Sequence, residues 1–154
     1  MKSTKAIALA CTIIVTSPSL FEIQAQEAPA LRFVLPESLK MGPTPIGEGL
    51  SVATVAGNPA ESGSNYVLYA KYAAGAKSVP HTHRDQRVMT VLSGTFYVGA
   101  GPQAEEAKMT ALKPGSMIIV PPNSVHWGWA KDGEVILEEV GIGPSNTVPW
   151  PGSK

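Results

Sequence analysis

This 154-residue chain holds only three histidines, and their spacing suggests a chemistry. His81 and His83 stand one residue apart in "GAKSVPHTHRDQRVMTVLSG" (75–94), and His126 follows in "PPNSVHWGW". On a strand, residues i and i+2 point to one face with Cα atoms about 7 Å apart. Two imidazoles so placed can converge on one ion at ~2.0–2.1 Å each. If the strand of His126 lies beside the first pair, three imidazoles meet. The expected cofactor is one divalent metal ion, Fe, Mn or Zn, whose identity the residues leave open, since imidazole suits zinc, copper, iron and nickel alike.

The mature chain offers no thiolate for such a site. Its only cysteine, Cys11, falls in "MKSTKAIALACTIIVTSPSLFEIQA" (1–25), which has two lysines, an apolar run from Ala6 to Val15 and small residues near Ala25. That is the order of a cleavable signal peptide. Ser17-Pro18-Ser19 interrupts the run before it reaches the ~20 apolar residues of a membrane span. The expectation is an exported protein, secreted or periplasmic, with no membrane span and no disulfide in its mature form. Formal net charge is zero, and losing Lys2 and Lys5 leaves the mature part slightly acidic. No basic run or arginine–aromatic cluster points to nucleic acid. The expected partners are a small-molecule substrate and a second copy of the chain.

The elements that must position the histidines are short. "LSVATVAG" (50–57), "NYVLYAKYA" (65–73), "RVMTVLSG" (87–94), "TFYVGAG" (95–101), "KMTALKPG" (108–115), "SMIIVP" (116–121), "SVHWGWA" (124–130) and "EVILEEVGIG" (134–143) are apolar or alternating. Turn signals such as Ser93-Gly94, Lys113-Pro114-Gly115 and Lys131-Asp132-Gly133 divide them. Many short strands with turns between them indicate an all-β sandwich or barrel. The one helix candidate, near Ala104–Ala107, is very short. "PTPIGEG" (43–49) closes an irregular N-terminal arm over 26–49, and the β domain takes 50–154.

Flanking residues make the histidine pattern more specific. Gly75-x5-His81-x-His83-x3-Arg87-x6-Gly94 resembles the first cupin motif at every fixed position but one. Gly115-x5-Pro121-x4-His126 resembles the second, with Asn123 where glycine is commoner. The resemblance implies a double-stranded antiparallel β-barrel (a jelly roll) and a homodimer. It also implies a divalent metal held by two histidines and a glutamate of the first motif and the histidine of the second. Carried over by position, His81, His83 and His126 are the ligands, and the glutamate position is Arg87.

Arginine has no lone pair for a metal and keeps its charge in proteins. Three readings of Arg87 follow. It binds the carboxylate of a substrate that also reaches a three-histidine metal, acting as a catalytic residue. Or it pairs with Asp85, Glu138 or Glu139 while another carboxylate, a water or Gln86 completes the metal shell. Or the metal is lost and the pocket is a binding site. Met89 and Val91 share the face of Arg87 and would line an apolar cavity. Trp127 and Trp129 point away from His126 and read as packing, as do Tyr66, Tyr69 and Tyr72. Glu138-Glu139 puts one carboxylate on each face of its strand.

The function expected is metal-dependent, dioxygenase-like chemistry on a small anionic or oxygen-rich organic molecule. The alternatives are a metal-dependent lyase, decarboxylase or isomerase, or a non-catalytic periplasmic ligand-binding cupin.

Overall fold

Alternation along the strands decides which side chains go inside. A computed structural model describes residues 30–152; the expected signal peptide at 1–25 lies outside them. The described strands are β1 (Gly42–Pro43), β2 (Leu50–Gly57), β3 (Asn65–Tyr72), β4 (His81–Thr82), β5 (Arg87–Ser93), β6 (Phe96–Ala100), β7 (Thr110–Leu112), β8 (Met117–Val120), β9 (His126–Trp129), β10 (Val135–Ile142) and β11 (Val148–Pro149). In β10 every second residue, Val135, Leu137, Glu139 and Gly141, is buried. In β5 the same is true of Arg87, Met89 and Val91. The helix candidate shrinks to a 3-10 turn at Glu106–Lys108. Among the described residues no helix is long and apolar enough to cross a membrane.

All pairings are antiparallel, and the strands form two sheets: β1-β2-β3-β10-β5-β8 and β11-β4-β9-β6-β7. The hydrogen-bonded ladders thus resolve the all-β expectation into two sheets. Their inner faces share one core, in which Leu50, Tyr72, Val91 and Leu137 of the first sheet meet Phe96 of the second. The Tyr72 and Phe96 rings meet edge-on at 5.2 Å between centroids. The segment read as an arm contributes to this core. Ile46 is buried in it, and its carbonyl accepts a hydrogen bond from the Val79 N–H at 2.8 Å.

Close packing fixes the strand that carries His126. Gly128 of β9 donates its N–H to Ser78 Oγ at 2.8 Å and accepts the Ser78 N–H at 2.8 Å. A Cβ at Gly128 would fall onto the Phe96 ring. The β5–β6 turn needs a glycine for a different reason. Gly94 has φ +78, and a Cβ there would strike the Glu134 carbonyl. A well-packed core resists an inserted methyl. Gly128→Ala is therefore expected to destabilise the domain by about 1–3 kcal/mol, read as a lower urea midpoint with an unchanged slope.

Candidate metal centre

Strand register brings the histidines together. His81 of β4 is the direct cross-strand partner of His126 of β9. His83 follows β4 by one residue, so it shares the face of His81. A backbone bond from the Asn123 N–H to the His83 carbonyl, 2.6 Å, ties the two motif regions together. Asn123 sits at φ 60, the left-handed region that glycine adopts freely and asparagine tolerates. That conformation accounts for asparagine where the motif more commonly has glycine.

All three histidines are buried, and their candidate ligand atoms lie within 4.8 Å of one another. Ring centroids are 4.4 Å apart for His81–His126, 5.0 Å for His81–His83 and 5.1 Å for His83–His126. Each Nδ1 faces a backbone carbonyl: Val79 O at 2.8 Å for His81, Asn146 O at 2.8 Å for His83 and Ser124 O at 3.0 Å for His126. A carbonyl can only accept, so each Nδ1 carries the proton and each Nε2 keeps its lone pair. Among the described residues His126 Nε2 is buried with no hydrogen-bond partner. A lone pair left unsatisfied inside a protein is costly, and a metal ion would satisfy it. The donor set therefore fits a divalent ion, with the carbonyls holding each ring in its ligating tautomer.

Burial also keeps these imidazoles uncharged. Desolvation, aided by His126, pushes His81 down to about 4. Desolvation and the nearby Arg87 charge push His83 down to about 3. His126 is lowered by desolvation as well.

Arg87 is buried and has three polar partners. Nη1 donates to Glu139 Oε2 at 2.7 Å, and Nη2 donates to Asp85 Oδ1 at 3.1 Å and Ser145 Oγ at 2.6 Å. Asp85 in turn accepts a short hydrogen bond from the Tyr66 hydroxyl. Burial alone would raise Asp85, but the bonds from Tyr66 and Ser145 and the Arg87 charge hold its carboxyl below the usual range. Tyr66 is pushed up to about 12, by burial first and by Asp85 second. Of the three readings of Arg87, the geometry matches the pairing with a nearby acid, through Asp85 and Glu139, while a catalytic role for Arg87 toward a substrate carboxylate has no observation behind it. Glu138 lies on the opposite face, against Val34, Pro36 and Leu39. Gln86 is exposed and faces an outer groove.

Register explains the cluster. Gly141 of β10 is the partner of both Arg87 on β5 and Tyr66 on β3. A Cβ at Gly141 would fall on the Tyr66 ring and hydroxyl, so this glycine leaves room for Tyr66 to reach Asp85. Glu139 opposes Met89, one diagonal step from Arg87, a distance that long side chains span.

A cavity of about 70 Å³ adjoins the histidines, lined by His81, His83, Arg87, Glu139, Tyr72 and Met89 among others. Met89 takes the expected lining position, whereas Val91 is in the core. Trp127 is buried as packing, and Trp129 is half-buried between the ammonium groups of Lys77 and Lys131 at 5.2 and 5.1 Å. The contribution of Asn146 and Thr147, whose carbonyl and hydroxyl meet His83 Nδ1 at 2.8 and 3.2 Å, carries no signal in the sequence. It arises because the C-terminal strand β11 pairs back onto β4.

The unfolded chain takes up histidine protons near pH 6.5, whereas folded His81 and His83 resist until about 4 and 3. Their stabilising contribution is therefore complete above pH 6.5 and shrinks as the pH falls toward 4. Metal-free protein is expected to melt progressively lower between pH 7 and 4.5. Zinc or cobalt affinity should change little between pH 7.5 and 5.5, since no proton has to leave the folded site. Thermal melts and calorimetric titrations check the two statements.

The family model described as Cupin matches residues 44–148. Among curated proteins no significant match is found. Solved structures with the same fold include a cupin-like protein from Thermotoga maritima, 23% identical with a TM-score of 0.58, covering 73% of this chain and 84% of that one. The polyketide cyclase RemF from Streptomyces resistomycificus is 14% identical with a TM-score of 0.65, covering 78% and 85%. A sugar phosphate isomerase of the cupin superfamily from Silicibacter pomeroyi is 15% identical with a TM-score of 0.57, covering 78% and 82%. At these identities the likeness is one of fold.

Proposed function

Given that the chain belongs to the cupin family, we propose that it is a metal-dependent enzyme acting on a small oxygen-rich organic molecule, by dioxygenase-like chemistry. His81, His83 and His126 would hold one divalent ion, Fe, Mn or Zn. The observation that carries this reading is the set of three buried, uncharged imidazoles, each with Nδ1 bonded to a carbonyl, beside a small cavity. When bound, such an ion supplies Lewis acidity and open coordination positions for substrate and dioxygen.

The protein's own residues do the rest. The apolar wall at Met89 and Leu50 limits water. The cavity of about 70 Å³ beside the histidines suits a small molecule near the ion. Arg87 is occupied by Asp85 and Glu139. With both terminal nitrogens taken and only the buried Nε–H without a partner among the described residues, this favours an oxygen-rich ligand over an anion that needs a bidentate guanidinium.

Lyase, decarboxylase or isomerase chemistry is the second reading. It draws support from Glu139, a carboxylate on the cavity wall where such reactions need a proton acceptor. Two structural neighbours are a cyclase and an isomerase, activities that belong to those proteins, and cupins as a fold host many reactions. A ligand-binding cupin without turnover is the third. Export to the periplasm or medium, inferred from residues 1–25, belongs to the same proposal.

Metal analysis of purified, untagged protein decides first. We expect about one equivalent of iron, manganese or zinc per chain, lost in His81→Ala/His126→Ala. Iron or manganese would favour oxygenation, zinc would favour the lyase or isomerase reading, and protein that takes up no ion would overturn both.

An exposed apolar face supports the proposed homodimer. Ile119, Val88 and Val140 form a row across β8, β5 and β10 on the outer face, with Ile119 67% and the nearby Met117 69% exposed. A second copy covering this face would remove it from water. Light scattering should give a dimer mass for the parent protein and a monomer mass for Ile119→Lys.

A further inference from the structure

Glu139 enters the interior from β10 at a slot where alternation calls for an apolar residue, between buried Leu137 and Gly141. An ionised carboxylate there needs partners. Arg87 supplies one at Oε2. Among the described residues Oε1 has no hydrogen-bond partner, and Glu139 lines the same cavity as His81 and His83. The remaining exposure agrees with this: the Glu139 side chain is 11% accessible while that of Arg87 is 2%. Both terminal nitrogens of Arg87 are already engaged, by Glu139, Asp85 and Ser145. The acceptor facing the cavity is thus Glu139, while the terminal nitrogens of Arg87 are taken and, of its three nitrogens, only the buried Nε–H is without a partner among the described residues. Thr44 Oγ1, also on the cavity wall, is buried without a partner among the described residues and supplies a second polar point for a ligand.

We propose that Glu139 is the specificity-determining residue of this site: its Oε1 accepts a hydrogen bond from a hydroxyl of the metal-bound ligand, and Arg87 is the positioning residue that aims the carboxylate. The ligand class is then a small molecule with a hydroxyl next to its metal-binding oxygen, recognised by a carboxylate. The inference rests on the metal-centre reading above.

The test loads the full chain with Co(II), whose visible absorption reports its ligands, and titrates glycolate against methoxyacetate. Both probes chelate through a carboxylate and a neighbouring oxygen, but only glycolate can donate a hydroxyl hydrogen. In Glu139→Gln the amide oxygen stays with Arg87, so the NH2 group faces the ligand and meets a donor with a donor. Glycolate affinity should fall about tenfold relative to methoxyacetate, with Co(II) stoichiometry unchanged; the lost charge shifts both carboxylate probes alike. Arg87→Lys should weaken glycolate less, and adding it to Glu139→Gln should cost little more, as coupled residues behave. If Glu139→Gln does not fold, Glu139→Asp keeps the charge but withdraws the carboxylate by one methylene, and the same selective loss is expected. Equal affinities in parent and variant, or equal losses for both probes, would overturn the role of Glu139 while leaving the metal centre standing. Loss of Co(II) in the variant would make Glu139 a metal ligand and overturn the proposal as well. Failure of the parent protein to bind Co(II) would sink the metal-centre reading, and this inference with it.

Discussion

A guanidinium buried beside three imidazoles that face one another has to be neutralised locally, and much of this interior is arranged around that requirement. Arg87 is held between Asp85 and Glu139, with Ser145 on the same nitrogen as Asp85. Removing one partner of a buried pair typically costs about 3–5 kcal/mol because the other charge is left behind. The two carboxylates come from different places, one just ahead of β5 and one from the middle of β10. The pairing therefore acts as a register lock between these strands and the loop before them. Tyr66 and the glycine at 141 belong to the same construction, since the ring occupies the space a Cβ would take.

The cluster also explains the electrostatic character of the histidine site. A free positive charge near the imidazoles would repel a divalent ion directly. Two carboxylates against one guanidinium make the surroundings net negative, a setting that tolerates an ion. The imidazoles are uncharged for a separate reason, which is burial, and they are oriented by backbone carbonyls rather than by acidic side chains. Ring orientation at this site thus depends on loop geometry at Val79, Ser124 and Asn146, and the charged cluster sets only the field around it.

The interior divides between an apolar end and a polar end. Val135, Leu137, Val91 and Phe96 fill the first. The histidines, Arg87 and Glu139 occupy the second, along with Asp85 and Tyr66. The same strands serve both, because alternation repeats along their length while the residue type in the inward slots changes. Strands β5 and β10 show the change most plainly, running from valine and leucine to arginine and glutamate.

Much of this was legible in the chain itself. The alternating runs at 50–57, 87–94 and 134–143 correspond closely to strands, because a period of two fixes the buried face whatever the neighbours are. The spacing of His81, His83 and His126 within two flanked motifs identified the residues that converge, and alternation alone put Arg87 and one of Glu138 and Glu139 inside. What the sequence could not decide was which strands lie side by side. His81 opposite His126, Gly141 between Arg87 and Tyr66, and the tail at Asn146 and Thr147 behind His83 are consequences of register and chain return. The short strands β1 and β11 were equally invisible, since two residues carry no periodicity and pair only where the fold brings another strand's edge alongside. The role of Arg87 belongs with these: its charge and its inward slot follow from residue type and periodicity, but the carboxylate it meets depends on distances that only the packed tertiary structure sets.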